Sequence, residues 1–283
     1  MARLGNALTV VTGAGGGVGR QAALHLAAEG SRVGVTDLDA SSLGKTAVLV
    51  REAGGEAVAV AGDIVDEQTI DALTTQLLHT YGKVDGLVNN AGIVFSKPLL
   101  EHTVEDFDKV MHINTLSCLV TAKRVVPEMV KAGGGSVVDV SSIGALAALP
   151  DIGVHCASKS AVLGLTRSLA MECASHNVRA NILCPCLVDT QMAAEHQKSF
   201  ASPQEAIDAF AGRQMPKRYA QPQEIAEVIV FLISEEASFM TGATVPVEAV
   251  WTAWSPCPPV IPSPAHGRSG THRAPRKEDS SHG

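Results

Sequence analysis

Residues 13–20, G-A-G-G-G-V-G-R, form a glycine-rich segment between an apolar run at 7–12 and helical apolar spacing over 21–29. A strand, a glycine loop and a helix in this order direct free backbone N–H groups and the positive helix end at a phosphate. Glycine is needed because a Cβ atom would hold the backbone away from a pyrophosphate. The segment predicts a dinucleotide-binding unit at the start of a parallel sheet.

A second apolar run, at 32–36, ends at Asp37, which follows Gly17 by 20 residues. An acidic side chain at that distance can accept hydrogen bonds from an adenosine ribose and would repel a 2′-phosphate. We therefore expect NAD as the cofactor and regard NADP as the less favoured one. The alternative is that Asp37 is the N-cap of a helix over 39–52.

Five further apolar runs, at 57–61, 84–88, 135–140, 178–184 and 243–247, alternate with helical patterns and show no internal repeat. The helical patterns cover residues 66–80, 103–132, 155–175 and 223–232. Alternating strands and helices predict an α/β fold, a single-domain, Rossmann-type, doubly wound parallel sheet of about seven strands with helices on both faces. Polar or small residues end two of the strands, at 89–92 and 141–142, where open α/β sheets bind ligands.

Composition narrows the class of protein. The 283 residues are 46% hydrophobic and carry a net charge of -7, which favours a sizeable core and argues against a nucleic-acid-binding surface. No apolar run reaches the roughly 20 residues of a membrane span, and no secretory signal precedes the first strand. The cysteines and histidines lack metal-ligand spacing, so we expect reduced thiols, no metal site and a cytoplasmic location.

Two segments fall outside the alternating pattern. Residues 189–212 have mixed polarity and no clear period, which predicts a mobile lid over a site. The last 29 residues contain six of the 14 prolines and no hydrophobic period. We therefore predict a cofactor-binding and catalytic domain over 1–254 and a disordered Pro/Ser-rich tail over 255–283.

Taken in order, these motifs resemble those of the short-chain dehydrogenase/reductase family over about residues 6–248. The resemblance implies hydride transfer between a nicotinamide and a carbinol or carbonyl carbon of a small molecule. Residues that match the family's cofactor loop, adenine contact, signature turn and nicotinamide segment are Thr12, Gly13, Gly17, Val18, Gly19, Asp63, Ile64, Asn89, Asn90, Ala91, Gly92, Pro185, Val188 and Thr190.

The same resemblance implies a set of catalytic residues. Asn114 matches the helix asparagine of a proton relay, Ser142 the serine that binds the substrate oxygen, and Lys159 the lysine that also holds the nicotinamide ribose. We prefer Ser142 to Ser141 because it lies 13 residues before His155, the usual separation in the family. His155 stands where the family has its general acid/base, a tyrosine.

His155 is the main departure from the family's pattern. An imidazole has a reference pKa near 6.5, closer to neutrality than the phenol's value near 10. However, its outer nitrogen ends roughly 2 Å short of a tyrosine oxygen, and the neighbouring Lys159 disfavours an imidazolium. We expect strongly reduced turnover, since a well-placed acid/base contributes roughly 10²–10⁴-fold in rate.

Two other departures follow. Cys186 replaces a glycine, and we expect a cost on the order of 1 kcal/mol if the backbone there needs a positive φ; its thiol is either reactive or an apolar filler. Residues 248–250, E-A-V, replace an acidic residue and two glycines. The family implies a homo-oligomer, a dimer or tetramer, which the tail would perturb.

The sequence thus predicts an NAD-dependent oxidoreductase for a secondary alcohol or ketone, impaired by His155. The alternative is a non-catalytic NAD-binding protein that acts through partners. We expect an apolar pocket for an uncharged, perhaps alicyclic, substrate, with a rim formed by Val94, Phe95, Ala145, Leu146, Leu149, Ile152, Leu187 and Met192.

Overall fold

The protein is described from a computed structural model, in which residues 2–197, 202, 204–205, 208 and 216–253 are placed. A compact unit spans Met1–Thr252, and Ala253–Gly283 forms a second unit. The tail predicted at 255–283 lies outside the described residues, and so does most of the C-terminal half of the predicted lid.

A seven-stranded parallel sheet forms the centre of the first unit. The strands are β1 (Leu8–Thr12), β2 (Arg32–Asp37), β3 (Ala57–Ala61), β4 (Gly86–Asn89), β5 (Gly135–Val140), β6 (Val178–Pro185) and β7 (Thr244–Val247). Their order in the sheet is β3-β2-β1-β4-β5-β6-β7. The strand order reverses between β1 and β4, so their carboxyl ends border the crevice where ligands bind in such sheets.

Helices cover both faces of the sheet, as its strand sequences require. The side chains of β1 alternate, so Leu8 and Val10 pack into one core and Val11 into the other. The helices are α1 (Gly17–Ala28), α2 (Ala40–Glu52), α3 (Glu67–Tyr81), α4 (Val104–Met111), α5 (Ser117–Ala132), α6 (Gly153–Cys173), α7 (Gln191–Gln197) and α8 (Pro222–Ile233). The predicted doubly wound α/β fold is confirmed. None of the helices within the described ranges is long and apolar enough to cross a membrane.

The helix predicted over 103–132 is divided in two by a π-helical turn, His112–Leu116. Asn114 lies in this turn, and its side chain is fully buried. A π turn often marks a functional site, because the widened backbone re-aims one side chain. The turn therefore sets the position of the predicted relay asparagine.

The alternative role considered for Asp37, a helix N-cap, is wrong. Asp39 is the N-cap of α2, and its carboxylate accepts hydrogen bonds from the backbone N–H groups of Ser41 and Ser42. Asp37 is the last residue of β2, two positions earlier. Its carboxylate is therefore available to the glycine loop.

The condition for a backbone cost at Cys186, a positive φ, is not met, because Cys186 is not among the residues with positive φ. The strain lies instead after β7, where Ala249 has φ 50° and Val250 has φ 73°. These two positions match the family's paired glycines. A side chain in this left-handed region is unfavourable, most of all a β-branched one.

Candidate functional site

The glycine loop presents an uncapped helix end. The N-cap of α1 is Gly16, which is exposed and provides no side-chain hydrogen bond. A Cβ atom on Gly16 would meet nothing within 4 Å, whereas one on Gly13 would come within 2.8 Å of the Ala91 Cα atom. The loop thus packs closely on the protein side and is open in front of the helix N-terminus, where a pyrophosphate would fit.

Asp37 lies beside this loop. Its Oδ2 atom accepts a hydrogen bond of 2.8 Å from the Gly15 N–H, and its Oδ1 atom accepts one of 3.0 Å from the Asp39 N–H. The carboxylate is half-buried and keeps unused lone pairs for ribose hydroxyls. The residues present therefore fit the ribose of a dinucleotide.

The signature turn is tied to the loop by hydrogen bonds. The Asn90 side-chain amide donates to the carbonyl oxygens of Thr12 and Gly13, both at 3.1 Å. The Thr12 hydroxyl accepts hydrogen bonds from the backbone N–H groups of Asn90 and Ala91. These bonds join the carboxyl ends of β1 and β4 into one surface.

Asp63 and Ile64, the predicted adenine contacts, follow β3. Ile64 is buried, and Asp63 borders a cavity of ≈ 320 Å³ together with Val65, Lys109 and Ile113. The cavity lies between the end of β3 and the junction of α4 with the π turn. Asp63 and Ile64 stay the predicted adenine contacts.

Pro185 is the last residue of β6, and Val188 and Thr190 follow this strand. The Thr190 methyl group would lie 3.1 Å from a Cβ atom on Gly17, so Thr190 borders the glycine loop. The backbone of this segment is fixed to the neighbouring chain by hydrogen bonds from Cys186 to Val247 and from Asp189 to Ala220. Val18 and Gly19 continue α1 from the loop, with Gly19 buried against the Gly13 carbonyl.

The two serines after β5 have different surroundings. The Ser141 hydroxyl is buried and donates to the Lys159 carbonyl oxygen at 2.8 Å, so it is used in the attachment of α6. The Ser142 hydroxyl is only half-buried and accepts a hydrogen bond from the Gly144 N–H at 3.0 Å. Its proton is therefore free to be donated to a ligand, and Ser142 remains our preferred catalytic serine.

Lys159 is buried next to the signature turn. Its Nζ atom donates to the Val140 carbonyl oxygen at 2.8 Å and would lie 3.4 Å from a Cβ atom on Gly92. Burial lowers the pKa of this ammonium group. The lysine ammonium group therefore lies beside Gly92, at the edge of the predicted cofactor site.

The oxygen and both amide hydrogens of the Asn114 side chain are hydrogen-bonded to groups of the protein. Its Oδ1 atom accepts from the Ile93 N–H at 2.7 Å, and its Nδ2 atom donates to the Ile93 carbonyl oxygen at 2.9 Å and to the Ser158 hydroxyl at 3.0 Å. Both amide hydrogens are thus used. The 3.4 Å contact from Nδ2 to the Nδ1 atom of His155 is then not a hydrogen bond.

His155 is buried, and its tautomer follows from these contacts. Nδ1 lies 3.1 Å from the Ile93 carbonyl oxygen, an acceptor, so Nδ1 carries the proton. Nε2 then has a free lone pair, with no partner among the described residues. Burial, and secondarily the positive charge of Lys159, lower the pKa of His155 to about 4. The imidazole is neutral at pH 7.

Residues 13–249 match the family model described as enoyl-(acyl carrier protein) reductase. The levodione reductase of Leifsonia aquatica is 32% identical over 251 residues, which are 87% of this chain and 94% of that protein. The cyclopentanol dehydrogenase of a Comamonas species is 34% identical over 254 residues, 89% of this chain and 100% of that protein.

A solved structure of levodione reductase superposes with a TM-score of 0.85, at 30% identity, and covers 89% of this chain and 99% of that one. The chain belongs to the short-chain dehydrogenase/reductase family. It therefore belongs to a family of oxidoreductases, as the order of its motifs predicted.

An apolar cluster near Ser142 contains two of the predicted rim residues and three residues that were not predicted to line the pocket. Ile143, Cys186 and Trp251 are buried together, with the predicted rim residues Leu149 and Leu187 packed against them. Burial raises the pKa of Cys186 to about 11. Its thiol is neutral and serves as an apolar filler, not as a reactive group.

The other predicted rim residues are more dispersed. Ala145 packs on a separate cluster, whereas Leu146 and Met192 are exposed. The Lys109 Nζ atom lies 5.8 Å from the centroid of the Phe95 ring. Trp251 was missed because it follows the altered end of β7, where the family's pattern stops. Asp139 was also missed, although an acidic residue within the apolar run of β5 is a visible signal.

Proposed function

We propose that the protein is an NAD-dependent oxidoreductase that moves a hydride between NAD(H) and a secondary alcohol or ketone, with low turnover. The observation that carries this proposal is the uncapped N-terminus of α1, with the Asp37 carboxylate hydrogen-bonded to the glycine loop beside it. Together they provide positive potential for a pyrophosphate and acceptors for ribose hydroxyls. The carboxylate disfavours a 2′-phosphate, which supports NAD over NADP.

Nicotinamide supplies or takes up the hydride when it is bound, and the chain's own residues supply orientation and a proton. Gly13, Gly17 and Gly19 let the backbone approach the phosphates, and Lys159 would hold the nicotinamide ribose. Ser142 would donate a hydrogen bond to the substrate oxygen. The remaining cofactor contacts would be Val18, Asp63, Ile64, Asn90, Ala91, Gly92, Pro185, Val188 and Thr190.

His155 would be the proton-transfer group, and its environment explains the low turnover. Nε2 carries a lone pair, so it could accept the proton of an alcohol. With a pKa of about 4, however, it is a weak base, and at pH 7 only about one imidazole in a thousand is protonated to act as an acid. Burial and the charge of Lys159 thus slow both directions of the reaction. They make the imidazole a weaker base for alcohol oxidation, and they leave little imidazolium to donate a proton in ketone reduction.

The substrate is inferred to be small, uncharged and apolar, as a cyclic secondary alcohol or ketone is. The cluster of Ile143, Leu149, Cys186, Leu187 and Trp251 provides an apolar surface after β5 and β6. Two relatives bear the names cyclopentanol dehydrogenase and levodione reductase, which supports this class.

The test is direct binding followed by turnover. We expect NADH to bind in a fluorescence titration at least tenfold more tightly than NADPH, and Asp37→Ala to reduce that preference. With NAD present, oxidation of cyclopentanol and related secondary alcohols should be slow but measurable. Absence of NADH and NADPH binding would overturn the proposal. Tight NADH binding without turnover on the panel would favour a non-catalytic NAD-binding protein instead.

A further inference from the structure

Asp139 and Lys159 are, in the part of the chain that the structure describes, the only buried carboxylic acid and the only buried ammonium group. Asp139 is 3% exposed on β5, and Lys159 is 5% exposed on α6. The lysine donates its hydrogen bond to the carbonyl oxygen of Val140, the residue that follows Asp139. Burial of an isolated charge is costly, so two opposite charges in one interior are expected to compensate each other.

The carboxyl group is held by side chains of neighbouring elements. Its Oδ1 atom accepts a hydrogen bond of 2.7 Å from the Asn89 amide, which in turn accepts one of 2.7 Å from the Thr121 hydroxyl. Its Oδ2 atom lies 2.6 Å from the Thr166 hydroxyl. Thr121, Asn89, Asp139 and Thr166 thus link α5, β4, β5 and α6.

Burial raises the pKa of Asp139, and the hydrogen bonds from Thr166 and Asn89 and the charge of Lys159 oppose that effect. The geometry of the hydrogen bonds favours the ionised carboxylate. An amide N–H can only donate, and 2.6 Å is the length of a charge-assisted O–H···O⁻ hydrogen bond. The Thr166 hydroxyl also lies 2.7 Å from the Val162 carbonyl oxygen. That oxygen already accepts a backbone N–H within α6, so it does not need the hydroxyl proton.

No other group facing Lys159 from the described elements provides a negative charge at neutral pH. Burial raises the pKa of Cys118, on α5, to about 12 and also raises the pKa of Cys184, on β6. His155, one turn away on α6, is neutral because burial lowers its pKa to about 4. At the position where the family has a phenol that can ionise, this chain therefore has a group that cannot become an anion.

We propose that the Asp139 carboxylate is the buried counter-charge of Lys159, a positioning residue that keeps the lysine protonated beside Gly92. Burial lowers the pKa of Lys159, and the Asp139 carboxylate opposes that effect. The importance of this pair for cofactor binding rests on the proposed function. The charge coupling itself does not, so it can be measured on the protein alone.

The test is a pH titration of Lys159 in the full chain. NMR of ¹³Cε-labelled lysines monitors the titration, and the Lys159 signal is assigned by its absence from the spectrum of Lys159→Arg. We expect Asp139→Asn to lower the titration midpoint by at least about one pH unit. Asparagine can keep the network, since its oxygen can accept from Asn89 and its amide can donate to Thr166. The pH above which NADH affinity falls should move down by the same amount.

Asp85→Asn is the matched control, because this carboxylate precedes β4, at the end of the strand opposite to the site, and pairs with Lys83. It should leave the Lys159 midpoint unchanged. Thr166→Val removes one hydrogen bond but keeps the carboxylate charge, so it should leave the Lys159 midpoint nearly unchanged. Asp139→Ser, which also removes the charge, decides the case if Asp139→Asn does not fold.

An unchanged midpoint in Asp139→Asn would overturn the proposal, because it would mean that Asp139 is already neutral. Equal shifts in Asp139→Asn and Thr166→Val would assign the effect to packing and would also overturn it. If native protein fails to bind NADH while the lysine midpoint still responds to Asp139, the proposed function fails and the charge pairing stands.

Discussion

At the scale of single residues, the site is governed by the low polarity around His155 and Lys159. Both side chains are buried, and burial is the main cause that lowers the pKa of each. The Nδ1 proton of His155 is committed to the Ile93 carbonyl oxygen. The imidazole is therefore fixed in one tautomer and presents only the Nε2 lone pair for chemistry.

This environment makes stability depend on pH. The pKa of His155 is about 4 in the folded state and near 6.5 in the unfolded chain, so the unfolded chain binds more protons between these values. Stability is then lost as pH falls from 6.5 towards 4. His155 should contribute about 2 kcal/mol of destabilisation at pH 4.5 relative to pH 7.

Urea unfolding of native protein and His155→Phe at both pH values would measure this effect. The variant should lose about 2 kcal/mol less than native protein between pH 7 and pH 4.5. His79→Gln, at an exposed position on α3, is the control and should behave like native protein. An identical loss in native protein and His155→Phe would contradict the deduced burial of a neutral imidazole.

At the scale of elements, the glycine loop is a place where a substitution should weaken cofactor binding without lowering the stability of the fold. A Cβ atom on Gly16 meets nothing within 4 Å, and Gly16 has an extended φ of -167° that any residue adopts. Gly16→Ala should therefore leave the melting temperature nearly unchanged. The methyl group would nevertheless stand in the open space before α1, so NADH affinity should fall at least tenfold.

Gly44→Ala on α2 is the control for this prediction, because its Cβ atom also meets nothing within 4 Å and the position is exposed. It should keep NADH affinity and slightly raise the melting temperature, since alanine favours helix over glycine. Unchanged NADH affinity in Gly16→Ala would show that the pyrophosphate does not bind at this loop.

The end of β7 carries the strain that was expected at Cys186. Val250 has φ 73°, a conformation that glycine adopts without cost and valine does not. Val250→Gly should stabilise the fold by about 1 kcal/mol, even after the greater entropy of the unfolded glycine is included. Ala243→Gly, at a position without positive φ, should instead destabilise it, and thermal unfolding compares the two. A lower melting temperature for Val250→Gly would contradict the strain.

Sequence patterns predicted the elements well where burial alone decides them. All seven predicted strands are confirmed within about two residues, because their runs are apolar on both faces. The start of α1 was placed four residues late, since glycines carry no apolar period. The π turn at Asn114 was missed because it depends on tertiary hydrogen bonds to Ile93 and Ser158.

At the scale of the whole molecule, the sheet brings together residues that are far apart in sequence. The carboxyl ends of β1 and β4 are joined by Thr12 and Asn90, and α6 adds His155 and Lys159 to the same edge. The order of the motifs predicted this assembly. The tautomer of His155, the neutral thiol of Cys186 and the buried hydrogen bonds of Asp139 could not be predicted, because they depend on burial and on contacts across the sheet.

In the function proposed above, the molecule keeps a competent NAD site while one side chain, His155, limits its turnover. The most direct measurement compares native protein with His155→Tyr in NADH binding and in NAD-linked oxidation of the same secondary-alcohol panel. We predict equal NADH affinity within about threefold and a turnover gain on the order of 10²-fold in His155→Tyr. Equal turnover of the two proteins on a substrate that both accept would contradict the claim.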